Sequence, residues 1–133
     1  MIGADTNVLL AALLPDDGSG QKRRSEAFLE RESKGGGVFV SAVTVVEMVW
    51  VLRGKDYSRR QIVRVLENLI DAEGVILGSR PQISQAVEDY RAGKADFSDY
   101  LIMADLEAHG GAKLATFDET LLKDARRAIK PGS

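Results

Sequence analysis

Cysteine is absent from the 133-residue sequence, and histidine occurs only once. Without thiols the chain cannot form a disulfide, a cysteine-ligated zinc site, an iron–sulfur cluster or a cysteine nucleophile. A single imidazole also excludes catalysis by a pair of histidines acting as general acid and general base. Any chemistry must therefore depend on carboxylates, hydroxyls, lysines or a bound hard metal ion.

Long hydrophobic runs are missing as well. The longest apolar stretch, residues 38–52, is interrupted by Ser41, Thr44 and Glu47, whereas a membrane-spanning helix needs about 20 apolar residues. The apolar run at residues 8–14 has no basic leader and does not resemble a secretory signal. The sequence therefore predicts a cytoplasmic protein that does not enter a membrane.

The rest of the composition is that of a globular protein. Hydrophobic residues make up 44% and charged residues 29% of the chain, and the length fits one domain over residues 1–133. The net charge of −2 argues weakly against a nucleic-acid partner.

Two segments nevertheless have a local excess of basic residues. Residues 53–64 hold five basic residues and one acid, and residues 123–130 hold four and one. Solvated helix faces are the simpler interpretation of such segments, and contact with RNA phosphates is the functional one. The lone tryptophan, Trp50, lies among valines, which favours a core position or a dimer interface over a base-stacking platform.

Apolar patterns along the chain predict alternating strands and helices. Four strands are expected at residues 1–4, 38–40, 75–77 and 114–117, the first of them buried. Helix N-caps are expected at residues 5–7, at Ser41, at Asp118, and at Ser58, which forms a capping box with Gln61. Alternation of this kind predicts an α/β fold with a parallel sheet covered on both faces. The last helix is expected to carry Leu121, Leu122, Ala125 and Ile129.

Five acidic residues are candidates for a functional site. Asp5 and Asp118 follow the first and fourth predicted strands, where open parallel sheets bind ligands. Asp96 and Asp99 lie three residues apart at the start of a helix and can point to one side of it. Glu47 interrupts an apolar helix with no basic residue within five positions. Taken singly, the aspartates could be ordinary helix caps and Glu47 could reach solvent from a helix surface.

Carboxylates gathered at one place would require a cation. Two bare carboxylates about 4 Å apart repel by roughly 4 kcal/mol at an effective dielectric constant of about 20. Carboxylate oxygens suit Mg²⁺ or Mn²⁺ rather than zinc. An acid-only site of this kind is typical of metal-dependent phosphodiester hydrolysis, which needs neither histidine nor cysteine.

Four segments of the sequence, in order, resemble the PIN-domain nucleases. They are Ile-Gly-Ala-Asp-Thr-Asn-Val-Leu at residues 2–9, Val-Ser at 40–41 with Glu47 downstream, Ala-Asp-Phe-Ser-Asp-Tyr-Leu-Ile at 95–102, and Ala-Thr-Phe-Asp at 115–118. The closest likeness within that family is to the bacterial VapC toxins of type II toxin–antitoxin pairs. The resemblance covers nearly the whole chain.

This resemblance implies a three-layer α/β/α fold around a central parallel sheet of four or five strands. It also implies Mg²⁺- or Mn²⁺-dependent cleavage of RNA. The catalytic and metal-binding acids would be Asp5, Glu47, Asp99 and Asp118, with Asp96 as a further metal ligand. Hydrogen bonds from Thr6 or Asn7 and from Thr116 would support these ligands. Family members commonly end in another apolar strand, whereas residues 128–133 predict a missing or truncated edge strand.

The implied partners are an RNA substrate, an antitoxin protein placed across the acidic cleft, and a second copy of the chain in a homodimer. Three alternatives stay open. One is a PIN nuclease of RNA processing that is not a toxin, and another is a catalytically silent PIN module that binds RNA or protein. The third, an aspartate-nucleophile phosphatase, is disfavoured because it would need a second carboxylate two residues after Asp5, where the chain has Asn7.

Overall fold

The computed structural model describes residues 1–124 and 126–132. The chain divides into two compact units, Met1–Arg80 and Pro81–Ser133. None of the helices in the described ranges has the length and hydrophobicity that a membrane span requires.

The first unit contains a parallel three-stranded sheet and four helices. In chain order its elements are β1 (Ile2–Gly3), α1 (Thr6–Leu13), α2 (Gln21–Lys34), β2 (Val38–Val40), α3 (Ala42–Gly54), α4 (Arg59–Asp71) and β3 (Val75–Leu77). The strands are ordered β1-β2-β3, with Ile2 beside Val38 and Val38 beside Val75. The α/β class and the parallel pairing predicted from the sequence are confirmed.

The helix starts of this unit follow the capping signals in the sequence. One carboxylate oxygen of Asp5 accepts a hydrogen bond from the Val8 N–H at 3.2 Å, and Ser41 Oγ accepts one from the Val43 N–H at 3.1 Å. Ser58 and Gln61 form the complete capping box, with bonds of 3.1 and 2.8 Å in the two directions. Each cap satisfies backbone donors that have no partner within the helix.

Lysine 22 fixes the other end of α1. Its ammonium donates to the carbonyl oxygens of Ala12 at 2.7 Å and Leu14 at 2.8 Å, carbonyls that lie at the helix end just before Pro15. A cation there also opposes the negative end of the helix dipole. Because Lys22 belongs to α2, this contact joins α2 to the helix whose first turn follows Asp5.

The described residues of the second unit form three helices and a two-stranded parallel sheet. Its elements are α5 (Arg80–Ala92), which begins at the last residue of the first unit, α6 (Phe97–Ala108), β4 (Leu114–Ala115), α7 (Glu119–Leu122) and β5 (Ala128–Ile129). The rings of Tyr90 and Phe97 pack edge to face with centroids 5.8 Å apart, and the Tyr100 hydroxyl accepts the Ala95 N–H at 3.1 Å. These contacts fix the start of α6, the helix that carries Asp99.

The end of the chain differs from the sequence prediction. The last helix stops at Leu122, and Ile129, expected in that helix, lies in β5. Ala125, assigned to the same helix, lies outside the described residues. The cause is pairing between distant residues, because Leu114 N–H donates to Arg127 O and Thr116 N–H donates to Ile129 O, both at 2.9 Å. The edge strand is therefore present, in the truncated form that was one of the two expectations.

The structure contradicts the predicted burial of the first strand and one of the two positions predicted for Trp50. The first strand was expected to be buried, yet Met1 is 76% and Ile2 41% exposed. Trp50 was assigned to the core or a dimer interface, and the core position is excluded because its side chain is 77% exposed. The reason is the orientation of α3 about its axis. The buried side of this helix does not include Trp50, which lies on the opposite side. The buried residues are Val45, Met48, Val49 and Leu52.

Candidate functional site

The first unit positions two of the five candidate acids, Asp5 and Glu47. Asp5 lies between β1 and α1 with its side chain exposed. Glu47 is exposed on α3, and its Oε2 accepts a hydrogen bond from Thr6 Oγ1 at 3.3 Å. Thr6 is itself buried, at 8% exposure, and it is the residue after Asp5. The hydroxyl of Thr6 therefore ties the Glu47 carboxylate to the N-terminal turn of α1, directly beside Asp5.

The second unit positions the other three acids at the starts of two helices. Asp96 is the N-cap of α6, and Asp99 lies in the first turn of that helix with its N–H donating to Asp96 O at 3.1 Å. Asp118 caps α7 by accepting the Leu121 N–H at 3.0 Å. The Thr116 hydroxyl oxygen accepts the Asp118 N–H, also at 3.0 Å, so Thr116 orients the backbone from which the Asp118 side chain extends.

The pKa of Asp99 is raised above its usual value. Burial raises its pKa, and the negative charges of Asp96 and Asp118 raise it further, against a smaller lowering by a backbone hydrogen bond from Asp96. A carboxylate at the first turn of a helix is ordinarily favoured by the helix dipole. The pKa of Asp99 is raised mainly by desolvation, with repulsion between like charges added to it.

Asp99→Asn is therefore expected to raise the melting temperature at pH 7 in EDTA. Because the pKa of Asp99 is higher in the folded protein than its usual value of 3.8, ionising this group costs stability. The cost is absent below pH 3.8, where the group is protonated in both states. It develops between pH 3.8 and the higher pKa of Asp99 in the folded protein, and it is fully present at pH 7. Melting curves between pH 3 and 8 should show the advantage of the variant at pH 7 disappearing in acid.

Asp16→Asn provides the control for this experiment. It removes the same charge from an exposed loop carboxylate that accepts the Gly18 N–H at 2.9 Å. The control should leave the melting curve nearly unchanged at every pH. A lower melting temperature for Asp99→Asn at pH 7 would show that the ionised carboxylate stabilises the fold instead.

Four of the candidate acids have no cationic partner in the part of the chain that the structure describes. Among residues 1–124 and 126–132, no lysine, arginine or histidine forms an ion pair with Asp5, Glu47, Asp99 or Asp118. By contrast, Arg127 forms ion pairs with Asp89 at 3.1 Å and with Glu107 at 3.7 Å. Lys130 forms an ion pair with Glu119 at 3.5 Å. The basic segment at residues 123–130 is thus used in part for internal ion pairs.

The chemistry of these residues fits a hard metal ion, although the described part of the chain holds no ready-made set of ligands. No three acidic or histidine side chains within it lie close enough together to hold a metal. The donors are carboxylate oxygens, the ligand type that Mg²⁺ and Mn²⁺ prefer. Burial is the main reason that the pKa of Asp99 is raised, and the negative charges of Asp96 and Asp118 add to it; a cation bound there would offset that repulsion.

The exposed position of Trp50 on the same helix as Glu47 was missed in the sequence. Trp50 lies three residues after Glu47 on α3, and both side chains are exposed. Their spacing places them on the same face of the helix, one turn apart. The three-residue spacing could be read from the sequence. The buried face of α3 could not, because valines both precede and follow Trp50.

An α/β fold with acids at the starts of its helices defines the class of protein. The family model described as "PIN domain" matches residues 3–127, and the chain belongs to the PIN domain family. The chain is 26% identical over 132 residues to a VapC ribonuclease of Aquifex aeolicus (strain VF5), covering 96% of this chain and 94% of that protein. These findings confirm the resemblance noted in the sequence.

A chain in one of the solved structures is similar to this protein. It belongs to the structure described as "Structure of FitAB bound to IR36 DNA fragment" and is 18% identical to this protein. The alignment covers 98% of this chain and 95% of that one, with a TM-score of 0.39.

Proposed function

We propose that this protein is a Mg²⁺- or Mn²⁺-dependent endoribonuclease that hydrolyses phosphodiester bonds in RNA. Asp5, Glu47, Asp99 and Asp118 serve as the catalytic, metal-binding acids, and Asp96 is an additional ligand. Membership of the PIN family and similarity to a VapC ribonuclease support this proposal. The observation that carries it is a set of four carboxylates that lack cationic partners among the described residues. The pKa of one of them, Asp99, is raised by burial and by two neighbouring acids.

A bound Mg²⁺ or Mn²⁺ would supply positive charge that polarises a phosphate and favours ionisation of a water molecule. The chain's own residues have orienting roles. The cap to Val8 fixes one oxygen of Asp5, Thr6 holds one oxygen of Glu47, and Thr116 fixes the backbone at Asp118. Side chains fixed in this way lose little conformational freedom when they bind a ligand, which favours a defined geometry.

The proposed biological role is that of a toxin inhibited by a small antitoxin protein. A groove of about 330 Å³ next to the α1 N-terminus supports a protein partner. Val8, Ala11 and Phe28 form its apolar part, and Asn7 lies in its lining only two residues from Asp5. A partner segment in this groove would lie close to Asp5, whose carboxylate would attract a basic side chain of that segment.

Divalent metal binding gives the first test of this function. A ligand at about 100 times its Kd stabilises the folded state by about 2.7 kcal/mol, so Mg²⁺ or Mn²⁺ should raise the melting temperature by several degrees. Asp5→Asn should lose most of this shift, and the loop variant Asp16→Asn should keep it. Identical melting curves of the unmodified protein with Mg²⁺, with Mn²⁺ and with EDTA would contradict the metal site.

A further inference from the structure

Three exposed side chains follow one another along α3. Val43, Glu47 and Trp50 are spaced by four and then three residues, so they lie on one face of the helix, and we term this face the α3 stripe. Val43 is 66% and Trp50 77% exposed. The stripe therefore places a large exposed aromatic ring one helical turn from a carboxylate assigned to catalysis.

The surface beside the Trp50 ring is open. Gly54 lies four residues further along the stripe, and a Cβ atom added there would meet no heavy atom within 4 Å other than its chain neighbours and its own helix backbone. A flat indole that is exposed in this way presents a π-face to any planar group that approaches it. Three helical residues advance by about 4.5 Å, so such a group would lie within one nucleotide of a phosphate at Glu47.

The charge beyond Trp50 indicates the kind of molecule that would approach. The segment from Arg53 to Arg64 holds five basic residues and a single acid, Asp56. Arg60 and Arg64 are exposed one turn apart on α4, and Arg53 is exposed at the end of α3. Aromatic rings combined with clustered positive charge are typical of surfaces that bind single-stranded nucleic acids.

We propose that Trp50 is a base-stacking platform that holds one nucleotide of single-stranded RNA beside Glu47. This inference rests on the proposed ribonuclease function and adds to it a preference for unpaired RNA. A second copy of the chain seated on Trp50 fits the stripe less well, because it would cover Glu47 one turn away and block access of substrate to that carboxylate. The basic segment that follows Trp50 in the sequence is also complementary to phosphates.

Tryptophan fluorescence reports directly on this surface, because Trp50 is the only tryptophan in the chain. The cleavage-blocked variant Asp99→Asn would be titrated in Mg²⁺ with a 12-nucleotide single-stranded RNA of mixed A and U. Stacking of a base should quench the emission, and the same RNA annealed to its complement should quench it much less. Emission that does not respond to the single strand would overturn the platform.

Substitutions at Trp50 separate stacking from simple hydrophobic contact. In the same Asp99→Asn background, Trp50→Leu should weaken binding of fluorescein-labelled RNA by about 5-fold to about 150-fold, the range for loss of one stacked base. Trp50→Phe keeps an aromatic face and should retain most of the affinity. Equal affinities for Leu, Phe and Trp at this position would overturn the proposal.

Two parallel measurements identify which claim fails. If the unmodified protein cleaves RNA in Mn²⁺ but single-stranded RNA does not change the Trp50 emission, the stacking role of Trp50 is wrong and the nuclease function stands. If it neither cleaves nor quenches, both are wrong. If light scattering shows a dimer that Trp50→Leu converts to a monomer, with RNA affinity unchanged, Trp50 is a contact between copies and the platform is overturned.

Discussion

Replacing Asp5 with asparagine is expected to lower RNA cleavage at least about 100-fold while the fold remains intact. The loss follows from the charge, because a neutral amide is a weak ligand for Mg²⁺, and a metal ion contributes several kcal/mol to such reactions. The fold should survive because asparagine is as good an N-cap as aspartate, and its Oδ1 can accept the same hydrogen bond from Val8. Initial rates in Mn²⁺ and circular dichroism spectra of the two proteins measure these effects.

Asp16→Asn is the matched control for Asp5→Asn. Both residues are exposed aspartates whose carboxylates accept a backbone N–H from a residue just ahead in the sequence, from Gly18 in the case of Asp16. Both substitutions remove one negative charge. Cleavage should be unchanged in Asp16→Asn, and an Asp5→Asn protein that cleaves at the rate of the unmodified chain would exclude Asp5 as a catalytic acid.

Expression of the chain alone is expected to arrest the growth of a bacterial host, and Asp99→Asn is expected to abolish that effect. If the protein cleaves cellular RNA and no antitoxin accompanies it, its activity has no inhibitor. Asp99 is the acid whose pKa is raised by burial and by Asp96 and Asp118, so we expect its charge to matter for cation binding more than for folding. Growth curves after induction measure the effect, with immunoblots to verify equal protein levels.

Asp105→Asn provides the control for the growth experiment. Asp105 lies on the same helix as Asp99, six residues further along, and is exposed. Its substitution changes the charge by the same amount at a position without a proposed catalytic role, so growth arrest should persist. If the unmodified chain and Asp99→Asn permit equal growth at equal protein levels, the protein is not a toxin, and a nuclease of RNA processing or a silent PIN module becomes the better interpretation.

Features set by neighbouring residues could be predicted from the sequence. The caps at Asp5, Ser41 and Asp118 and the capping box of Ser58 with Gln61 all involve residues within three positions of each other. Such bonds form in any chain with these residues at a helix start. The candidate acids at positions 5, 96, 99 and 118 were found by the same local signals, together with the resemblance to the PIN family.

Features set by distant residues could not be predicted in this way. The strand β5 exists because its backbone pairs with β4, and nothing in residues 128–129 alone favours a strand over the end of a helix. The hydrogen bond from Thr6 to Glu47 joins residues 41 positions apart. The orientation of Trp50 depends on which face of α3 is buried. Valines occur on several faces of that helix, so the sequence alone does not indicate which face packs against the core.

Cleavage of RNA by the unmodified protein, with and without a divalent metal, tests the central claim most directly. The purified chain would be incubated with total bacterial RNA in Mg²⁺, in Mn²⁺ and in EDTA, and the products would be resolved by electrophoresis and sequenced at their new ends. We expect discrete internal cuts in at least one of the two metals and intact RNA in EDTA. Intact RNA under all three conditions, or equal cleavage in EDTA, would contradict a metal-dependent endoribonuclease.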